Sequence, residues 1–452
     1  MKIIVVGCGK IGTTLVASLV EEGHDVIALD REPDVITEIT NVYDVMGVCG
    51  NGADSDMLSE AGVETADIVA AITNSDELNM LACFMAKKMG AKNTIARIRN
   101  PEYNDGSLGI MKQYLELSLS INPEKLAAKE LFNILRLPTA VKIDSFSAGN
   151  FEMIELRLRE NSPLADKKLM DLRSQYTAKF LVCAVGRGEE AYIPDGNFVL
   201  KSGDRIGITA APAEIAKLFK EMGIQQNRAR NIMILGGSRT AHYLAKMLTA
   251  GGNSVTIMEK DRALCEELCE SLPKAVVVNG DGAEQEILLE AGLKNADAFV
   301  GLTGMDEENI LLCSYASSLN VPKVIAKINR EELMPLAEHW GLESFVSPKK
   351  LVSDVIVQYA RALRDSEGSS VETLYKLMDD KVEALEFRVK SGLSVLGKSL
   401  RELKLKPNIL IAGIIRDRKT IIPSGEDMIL SGDKVIVLSA STRLDELSDI
   451  LR

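Results

Sequence analysis

The stretch that decides the fold is Lys2-Ile3-Ile4-Val5-Val6-Gly7-Cys8-Gly9-Lys10-Ile11-Gly12. Its continuous Ile/Val run predicts a buried strand, and the G-x-G-x-x-G pattern that follows opens a segment whose apolar residues have helical spacing. Asp30 ends the next predicted strand, about 20 residues after the glycines. A strand, a glycine loop, a helix and a second strand ending in a carboxylate are typical of a dinucleotide-binding α/β domain.

Each glycine of this loop has its own physical reason. Gly7 permits a tight turn, Gly9 lets the backbone approach a pyrophosphate, and Gly12 lets the helix pack closely against the sheet. The free N–H groups of the helix N-terminus would then bind the pyrophosphate. Asp30 can accept hydrogen bonds from the adenosine ribose and would repel a 2′-phosphate, so the loop favours NAD(H) over NADP(H). The alternative is a glycine turn in a Rossmann domain that binds no nucleotide.

The same pattern occurs twice in the chain. The stretch from Lys2 to Gly12 matches the stretch from Asn231 to Ala241, and Asp30 matches Glu259. Further segments match in the same order: Ala61 to Asp67 with Ala291 to Asp297, Asn122 to Leu126 with Ser347 to Leu351, and Ser202-Gly203-Asp204 with Ser431-Gly432-Asp433. The chain is therefore predicted to be a tandem duplication of a two-domain unit.

The larger domain of each half alternates Val/Ile-rich runs with amphipathic segments, which predicts a doubly wound parallel α/β sheet. In the first half the predicted strands are Ile3 to Val6, Val26 to Leu29, Val45 to Cys49, Ile68 to Ile72 and Ile95 to Ile98. The smaller domain has short β-rich runs, turns such as Pro194-Asp195-Gly196 and one helix near Leu169, which predicts a small α+β module. The predicted domains are 1–136, 137–226, 227–365 and 366–452.

The second glycine loop departs from the pattern. In Gly236-Gly237-Ser238-Arg239-Thr240-Ala241 only the first glycine keeps its register, because Ser238 stands at the position of Gly9 and Ala241 at that of Gly12. Ser238 would crowd a pyrophosphate, whereas Arg239 could pair with phosphate and Glu259 keeps the ribose-binding carboxylate. The second domain therefore binds a nucleotide weakly, binds a different one, or has a purely structural role.

Further candidate residues follow other predicted strands, at the sheet edge where such folds bind ligands. The loop Gly50-Asn51-Gly52-Ala53-Asp54 is expected to close over the adenine, or to be a simple turn. In Thr73-Asn74-Ser75-Asp76, the first two residues could reach the ribose or phosphates, and the last two could cap the next helix. Arg97 lies on the fifth predicted strand, and strand parity directs its side chain either toward this crevice or away from it. A charge at the end of a buried strand is unusual, so Arg97 and its counterpart Lys327 are predicted phosphate contacts.

Composition excludes several classes of function. The 452 residues include 53 basic and 65 acidic side chains, and the net charge of −12 argues against a nonspecific nucleic-acid binder. We find no apolar run of about 20 residues that could span a bilayer and no apolar leader, and expect neither an integral membrane protein nor a secreted one. Seven cysteines do not indicate a disulfide framework and fit a reducing cytoplasm.

The residues needed for hydride chemistry are scarce. The three histidines, His24, His242 and His339, lie at positions typical of surface or packing residues, away from the predicted nicotinamide. Cys265 and Cys269 share a helix face, but no second ligand pair accompanies them, so no metal site is predicted. We expect no catalytic residues. A duplicated nucleotide domain fused to a small module suggests a sensor, with an NAD-dependent oxidoreductase as the alternative.

The sequence resembles the TrkA family of regulatory subunits of Trk potassium-uptake systems over essentially its whole length. The motifs that carry the resemblance are the opening strand and glycine loop, Ala96-Arg97-Ile98-Arg99-Asn100-Pro101-Glu102-Tyr103, Ile121-Asn122-Pro123-Glu124, and the Ser-Gly-Asp turns at Ser202 and Ser431. The resemblance implies two RCK-N (KTN) domains, each followed by an RCK-C (TrkA-C) domain. It implies a homo-oligomer, a dimer or tetramer that forms a ring under a TrkH/TrkG-type potassium-translocating membrane subunit, at the cytoplasmic face of the membrane.

The resemblance also implies ligands and their residues. NAD(H) and ATP or ADP are the expected ligands, and their exchange would gate potassium flux. The first site would comprise Gly7, Cys8, Gly9, Lys10, Ile11, Gly12, Asp30, Thr73, Asn74 and Arg97. The second would comprise Gly236, Gly237, Ser238, Arg239, Thr240, Glu259, Thr303 and Lys327. Regulation of another cation transporter is the remaining alternative.

Overall fold

The computed structural model describes residues 1–101, 103, 105–137, 139–224, 229–364, 369–440 and 443–452. The chain forms two compact units. One contains Met1–Phe132 and Asn231–Ala360, and the other contains Asn133–Arg230 and Arg361–Arg452. The domain boundaries predicted at 226/227 and at 365/366 fall outside the described residues.

The first α/β domain has a six-stranded parallel sheet with the order β3-β2-β1-β4-β5-β6. Its strands are β1 (Lys2–Val6), β2 (Asp25–Asp30), β3 (Met46–Cys49), β4 (Ile68–Ala71), β5 (Asn93–Arg97) and β6 (Leu119–Ile121). Its helices are α1 (Lys10–Glu21), α2 (Pro33–Val42), α3 (Ser55–Glu60), α4 (Asp76–Lys88), α5 (Asp105–Tyr114) and α6 (Pro123–Arg136). The strand order reverses between β1 and β4, and sheets of this kind bind ligands at the carboxyl ends of the strands at such a reversal.

The apolar run of β1 fits its position as a central strand of this sheet. Ile3, Ile4, Val5 and Val6 are all buried, because helices cover both faces of the sheet. The predicted strands agree with the observed ones to within one or two residues at each end. Two predicted strand ends, Ile72 and Ile98, lie one residue past the strands, although both side chains are buried.

The first small module is a five-stranded antiparallel sheet with the order β10-β9-β11-β8-β7. Its strands are β7 (Lys142–Phe146), β8 (Phe151–Arg157), β9 (Leu181–Arg187), β10 (Glu190–Tyr192) and β11 (Arg205–Ala210). Its helices are α7 (Leu169–Gln175) and α8 (Pro212–Glu221). The module is therefore an α+β fold, as the sequence predicts.

The second α/β domain repeats the first. Its sheet order is β14-β13-β12-β15-β16-β17. Its strands are β12 (Asn231–Leu235), β13 (Ser254–Glu259), β14 (Val276–Asn279), β15 (Ala298–Gly301), β16 (Lys323–Lys327) and β17 (Phe345–Val346). Its helices are α9 (Arg239–Ala250), α10 (Arg262–Ser271), α11 (Gln285–Glu290), α12 (Asp306–Ser318), α13 (Met334–His339) and α14 (Pro348–Arg364).

The second small module has the sheet order β18-β19-β22-β20-β21. Its strands are β18 (Ser369–Leu377), β19 (Val382–Val389), β20 (Ile409–Arg416), β21 (Lys419–Ile421) and β22 (Lys434–Ala440). A 3₁₀ turn at Leu447–Ile450 follows β22, where the first module has α8 after β11. Within the described ranges, no helix of the chain is long and apolar enough to cross a membrane.

Hydrogen bonds join the two halves within each compact unit. In the first unit, Asn122 Nδ2 donates to the Tyr243 hydroxyl at 3.4 Å, and the Tyr359 hydroxyl donates to Asn93 at 3.2 Å. In the second unit, the buried Glu386 carboxylate accepts hydrogen bonds from the Ser147 backbone N–H and hydroxyl. The duplicated halves are therefore paired as well as repeated.

Candidate nucleotide-binding sites

The first glycine loop lies at the carboxyl end of β1, beside the loop that follows β4. Gly7 has a φ of 92°, and a Cβ there would lie 2.7 Å from the Thr73 backbone nitrogen. A Cβ at Gly12 would overlap the carbonyl oxygen of Gly7. A Cβ at Gly9 would meet no atom within 4 Å. Two glycines are thus required by the protein's own packing, whereas Gly9 borders open space, where the sequence predicts a pyrophosphate.

The carboxylate at the end of β2 holds this loop in place. Asp30 Oδ2 accepts a hydrogen bond from the Cys8 N–H at 2.6 Å, and Oδ1 accepts one from the Glu32 N–H at 3.1 Å. Each oxygen can accept a second hydrogen bond, so the carboxylate keeps its capacity to bind ribose hydroxyls. Sequence reasoning assigned Asp30 to the ligand alone and missed this structural role.

The second domain repeats the arrangement with a longer side chain. Glu259 accepts hydrogen bonds from the Gly237 N–H at 2.6 Å and from the Asp261 N–H at 2.8 Å. Gly236 has a φ of 94° and matches Gly7. The carboxylate and the first glycine therefore have the same geometry in both halves.

The two loops differ at the start of the following helix. Gly9 is the N-cap of α1 and offers no capping side chain. Ser238 is the N-cap of α9, and its hydroxyl accepts a hydrogen bond from the Ala241 N–H at 3.4 Å. Arg239 is exposed and Thr240 is buried. One N–H that would face a phosphate in the first domain is therefore already bonded in the second.

An asparagine that the sequence did not assign to the site organises the loop after β4. Asn79 Oδ1 accepts hydrogen bonds from the Thr73 N–H at 2.8 Å and hydroxyl at 2.7 Å, and Nδ2 donates to the Arg97 carbonyl at 2.9 Å. Asn309 repeats the two bonds to the backbone, with the Thr303 N–H and the Lys327 carbonyl, whereas the Thr303 hydroxyl donates to the Met305 carbonyl. Both asparagines are fully buried. The presence of an asparagine at the matching position of both halves was the feature of the sequence that could have identified these residues.

Arg97 points toward the crevice. Its Nη2 donates to the Thr73 carbonyl and to Asn74 Oδ1, while its Nε is buried without a hydrogen-bond partner. Burial lowers the pKa of Arg97, as does the charge of Arg99, and the charges of Glu124 and Asp76 oppose this. The structure thus brings together Thr73, Asn74 and Arg97, which the sequence placed in one site.

Lys327 occupies the matching position in the second domain. Its Nζ lies 3.5 Å from the Leu302 carbonyl oxygen. Burial lowers the pKa of Lys327, whereas the charges of Asp306 and Glu124 raise it. A single amine replaces the planar guanidinium, so this crevice presents a point charge with no fixed fork of donors.

The residues after Thr73 and Asn74 have structural contacts. The Ser75 hydroxyl accepts a hydrogen bond from the Leu78 N–H at 3.1 Å and caps α4. Asp76 accepts hydrogen bonds from the backbone N–H groups of Arg99 and Asn100, both at 2.7 Å. The capping interpretation therefore holds for Ser75, and Asp76 ties α4 to the segment after β5.

The loop after β3 packs against the glycine-loop strand. A Cβ at Gly52 would overlap the Val6 side chain, and Asp54 caps α3 by accepting a hydrogen bond from the Asp56 N–H at 2.8 Å. These contacts give the loop the structural role of a turn. Closure of this loop over an adenine stays a prediction.

The remaining sequence candidates are the thiol of the glycine loop and the histidines. Burial and the charge of Asp30 raise the pKa of Cys8 to about 12, so its thiol stays protonated. His24 is buried and His339 is exposed. Among the residues that the structure describes, no cluster of three or more His, Cys, Asp or Glu side chains could hold a metal ion.

Comparison with known protein families supports the domain pattern. The TrkA-N domain family matches residues 3–113 and 232–348. The TrkA-C domain family matches residues 153–223 and 384–452. The matches alternate along the chain in the order of the observed sheets.

Individual relatives match over their full length. The Trk system potassium uptake protein TrkA homolog 1 of Methanosarcina mazei is 30% identical over 455 residues, which cover 99% of each chain. The TrkA homolog of Archaeoglobus fulgidus is 30% identical over 452 residues, which cover 100% of each chain.

Solved structures share the fold. The GsuK channel bound to NAD superimposes with a TM-score of 0.65 at 19% identity, covering 97% of this chain and 77% of that one. The GsuK structure bound to ADP superimposes with a TM-score of 0.51 at 15% identity, covering 79% of this chain and 68% of that one.

Proposed function

Because this chain belongs to the TrkA family of Trk-system potassium uptake proteins, which are regulators and not enzymes, we propose that it senses nucleotides and gates a membrane-embedded potassium-translocating subunit of the TrkH/TrkG type. NAD(H) is the proposed ligand of the first domain. ATP or ADP is the proposed second type of ligand of the protein. The second domain is proposed to bind a nucleotide weakly, to bind a different nucleotide, or to have a purely structural role.

One observation carries the assignment of the first site. Gly9 borders open space at the free N-terminus of α1, directly beside the carboxylate of Asp30, whose position is fixed by the N–H groups of Cys8 and Glu32. Backbone donors for a pyrophosphate and an acceptor for the ribose thus lie at one crevice. The NAD and ADP complexes of GsuK, which has the same fold, support this choice of ligands.

The proposed residues of the first site are those carried over from the sequence. They are Gly7, Cys8, Gly9, Lys10, Ile11, Gly12, Asp30, Thr73, Asn74 and Arg97. The proposed second site comprises Gly236, Gly237, Ser238, Arg239, Thr240, Glu259, Thr303 and Lys327. We also propose a homo-oligomeric ring held at the inner face of the membrane by its partner, and the four domains with the boundaries predicted above.

Transmission of the ligand signal is proposed to use the protein's connecting helices. The chain passes from one compact unit to the other within a helix, between Phe132 and Asn133 in α6 and between Ala360 and Arg361 in α14. These helices are therefore continuous between a nucleotide domain and the module that follows it in sequence. A ligand that shifts the start of either helix would bias the equilibrium between two states of the assembly.

Calorimetric titration of the purified chain with NADH, NADPH and ATP tests the proposal. We expect NADH to bind without turnover and more tightly than NADPH. Asp30→Ala should lower the NADH affinity at least about a hundredfold, because it removes both the ribose acceptor and the loop anchor. Glu259→Ala, the matched change in the second domain, should leave the NADH affinity within about twofold.

Three results would contradict the proposal. Absence of binding by every nucleotide would leave a structural adaptor. Substrate-dependent consumption of NADH would favour an oxidoreductase. Co-purification of the chain with a membrane subunit other than a TrkH/TrkG type would favour regulation of another cation transporter.

A further inference from the structure

A carboxylate outside the predicted site lies beside the buried cation of the first crevice. Glu124 is the second residue of α6, which follows β6. Its Oε1 accepts a hydrogen bond from Arg99 Nε at 2.7 Å and lies 2.6 Å from Arg99 Nη2. Its Oε2 is buried without a hydrogen-bond partner. Half of this carboxylate is therefore uncompensated.

The neighbouring guanidinium, that of Arg97, has a donor without a partner. Arg97 is 5% exposed, and its Nε has no acceptor. A buried guanidinium N–H without an acceptor is suited to an anionic oxygen of a ligand. The charge of Glu124 acts directly on Arg97, so a phosphate bound at Arg97 would experience the same carboxylate.

We propose that Glu124 determines how much negative charge the first crevice accepts, so that this crevice selects NAD(H) over the more highly charged nucleoside triphosphates. The inference rests on the proposed function and names the specificity of its first site. Repulsion between a carboxylate and a phosphate grows with the charge of the ligand, and water screens it poorly in a crevice that is partly buried. Glu124 also forms an ion pair with Arg99, so Arg97 is the cation that faces the ligand.

The second half reverses the charge at this position. Lys349 is the second residue of α14, which follows β17, and so matches Glu124. Lys327 matches Arg97, and Asp306 matches Asp76. The two crevices therefore differ in charge at Glu124 and at its ion-pair partner Arg99, whose counterpart in the second half is the uncharged Asn329. The field of Glu124 also reaches Lys327, although the two form no ion pair within the described part of the chain.

The test is a competition experiment in which ATP or ADP displaces NADH from the full-length protein in the absence of divalent cations. Calorimetry measures the displacement. Displacement reports on the first crevice even where a nucleotide also binds to the second. Wild-type protein should bind ADP more tightly than ATP, because ADP has the same nucleoside and less phosphate charge. Glu124→Gln should tighten ATP about tenfold and NADH by no more than about threefold.

Two further variants sharpen the test. Glu124→Lys, which introduces the residue of the second half, should tighten ATP more than Glu124→Gln does. Glu60→Gln makes the same change in net charge at an exposed residue at the far end of α3, and should change neither affinity.

The outcomes separate the inference from the function on which it rests. Equal changes in ATP and NADH affinity, or no change, in a folded Glu124→Gln protein would overturn the inference alone. If that variant does not fold, wild-type protein that binds ATP as tightly as ADP would overturn it equally. Wild-type protein that binds no NADH would overturn both the proposed function and the inference.

Discussion

The two α/β domains share their scaffold and differ where a ligand would lie. The sheet order is repeated, and the carboxylate after the second strand and the buried asparagines, Asn79 and Asn309, make the same hydrogen bonds to the backbone in both halves. The positions that border the crevice are changed: Gly9 to Ser238, Arg97 to Lys327 and Glu124 to Lys349. An internal repeat thus separates what the fold requires from what a ligand requires, within a single chain.

The largest expected effect is on stability, at Gly12. The fold of the first domain requires this glycine, although the second domain has Ala241 at the same position. Gly12→Ala should destabilise the first domain by about 3 kcal/mol, because its Cβ would overlap the Gly7 carbonyl oxygen. The reverse change in the second domain, Ala241→Gly, should cost only about 1 kcal/mol of helix propensity. Thermal unfolding measures both. Equal losses would show that the two loops have the same backbone constraints.

The buried cations should separate the two crevices next. Arg97→Met should weaken NADH binding about thirtyfold, because a charge-assisted hydrogen bond to phosphate is lost. Lys327→Met should leave NADH binding within about twofold. Calorimetry gives both affinities. The prediction fails if Lys327→Met has the larger effect, since NADH would then bind to the second domain.

Substitution of the two N-cap residues should have smaller effects. The change in the first domain should alter NADH affinity, and the change in the second should alter stability. Gly9→Ser should weaken NADH binding about tenfold without lowering the melting temperature, because the new side chain would meet only open space and could cap α1 as Ser238 caps α9. Ser238→Ala should instead lower the stability of the second domain by about 1 kcal/mol through loss of the helix cap. A stability loss in Gly9→Ser would contradict the assignment of that space to a ligand.

The smallest expected effect is on pH dependence. Burial lowers the pKa of His242, and the charge of Lys246 lowers it further, so the folded chain favours the neutral imidazole. This contribution to stability is complete above the ordinary histidine pKa and is lost as the pH falls through the lowered value. His242→Thr, which introduces the residue at the matching position Thr13, should reduce the drop in melting temperature between pH 8 and pH 5 by about 1 °C. An unchanged drop would contradict this.

The sequence predicted strands β1 to β5 of the first sheet because they contain continuous apolar runs, but it did not predict the three-residue edge strand β6 (Leu119–Ile121). Periodicity locates such strands, and the repeat supplies each of them twice. It also predicted that Thr73, Asn74 and Arg97 share a crevice, because the carboxyl ends of parallel strands meet at one edge of the sheet. The assignment of nucleotides to these residues remains a prediction.

The contacts that the sequence did not predict join loops that are distant along the chain. Asn79 reaches the ends of β4 and β5 together, and Asp76 accepts backbone hydrogen bonds from residues after β5. Asp30 holds the glycine loop through Cys8. Each contact depends on which strands are neighbours and on the backbone geometry of a loop, and apolar periodicity carries neither kind of information.

Covalent linkage of the paired halves has a consequence for concentration. The bonds from Asn122 to Tyr243 and from Ser147 to Glu386 are made within one chain, so the local concentration of each half around the other does not fall on dilution. Two identical single-repeat chains would have to meet by diffusion and would carry every substitution twice. A fused pair remains assembled at any protein abundance, and one copy can lose a glycine while the other keeps it.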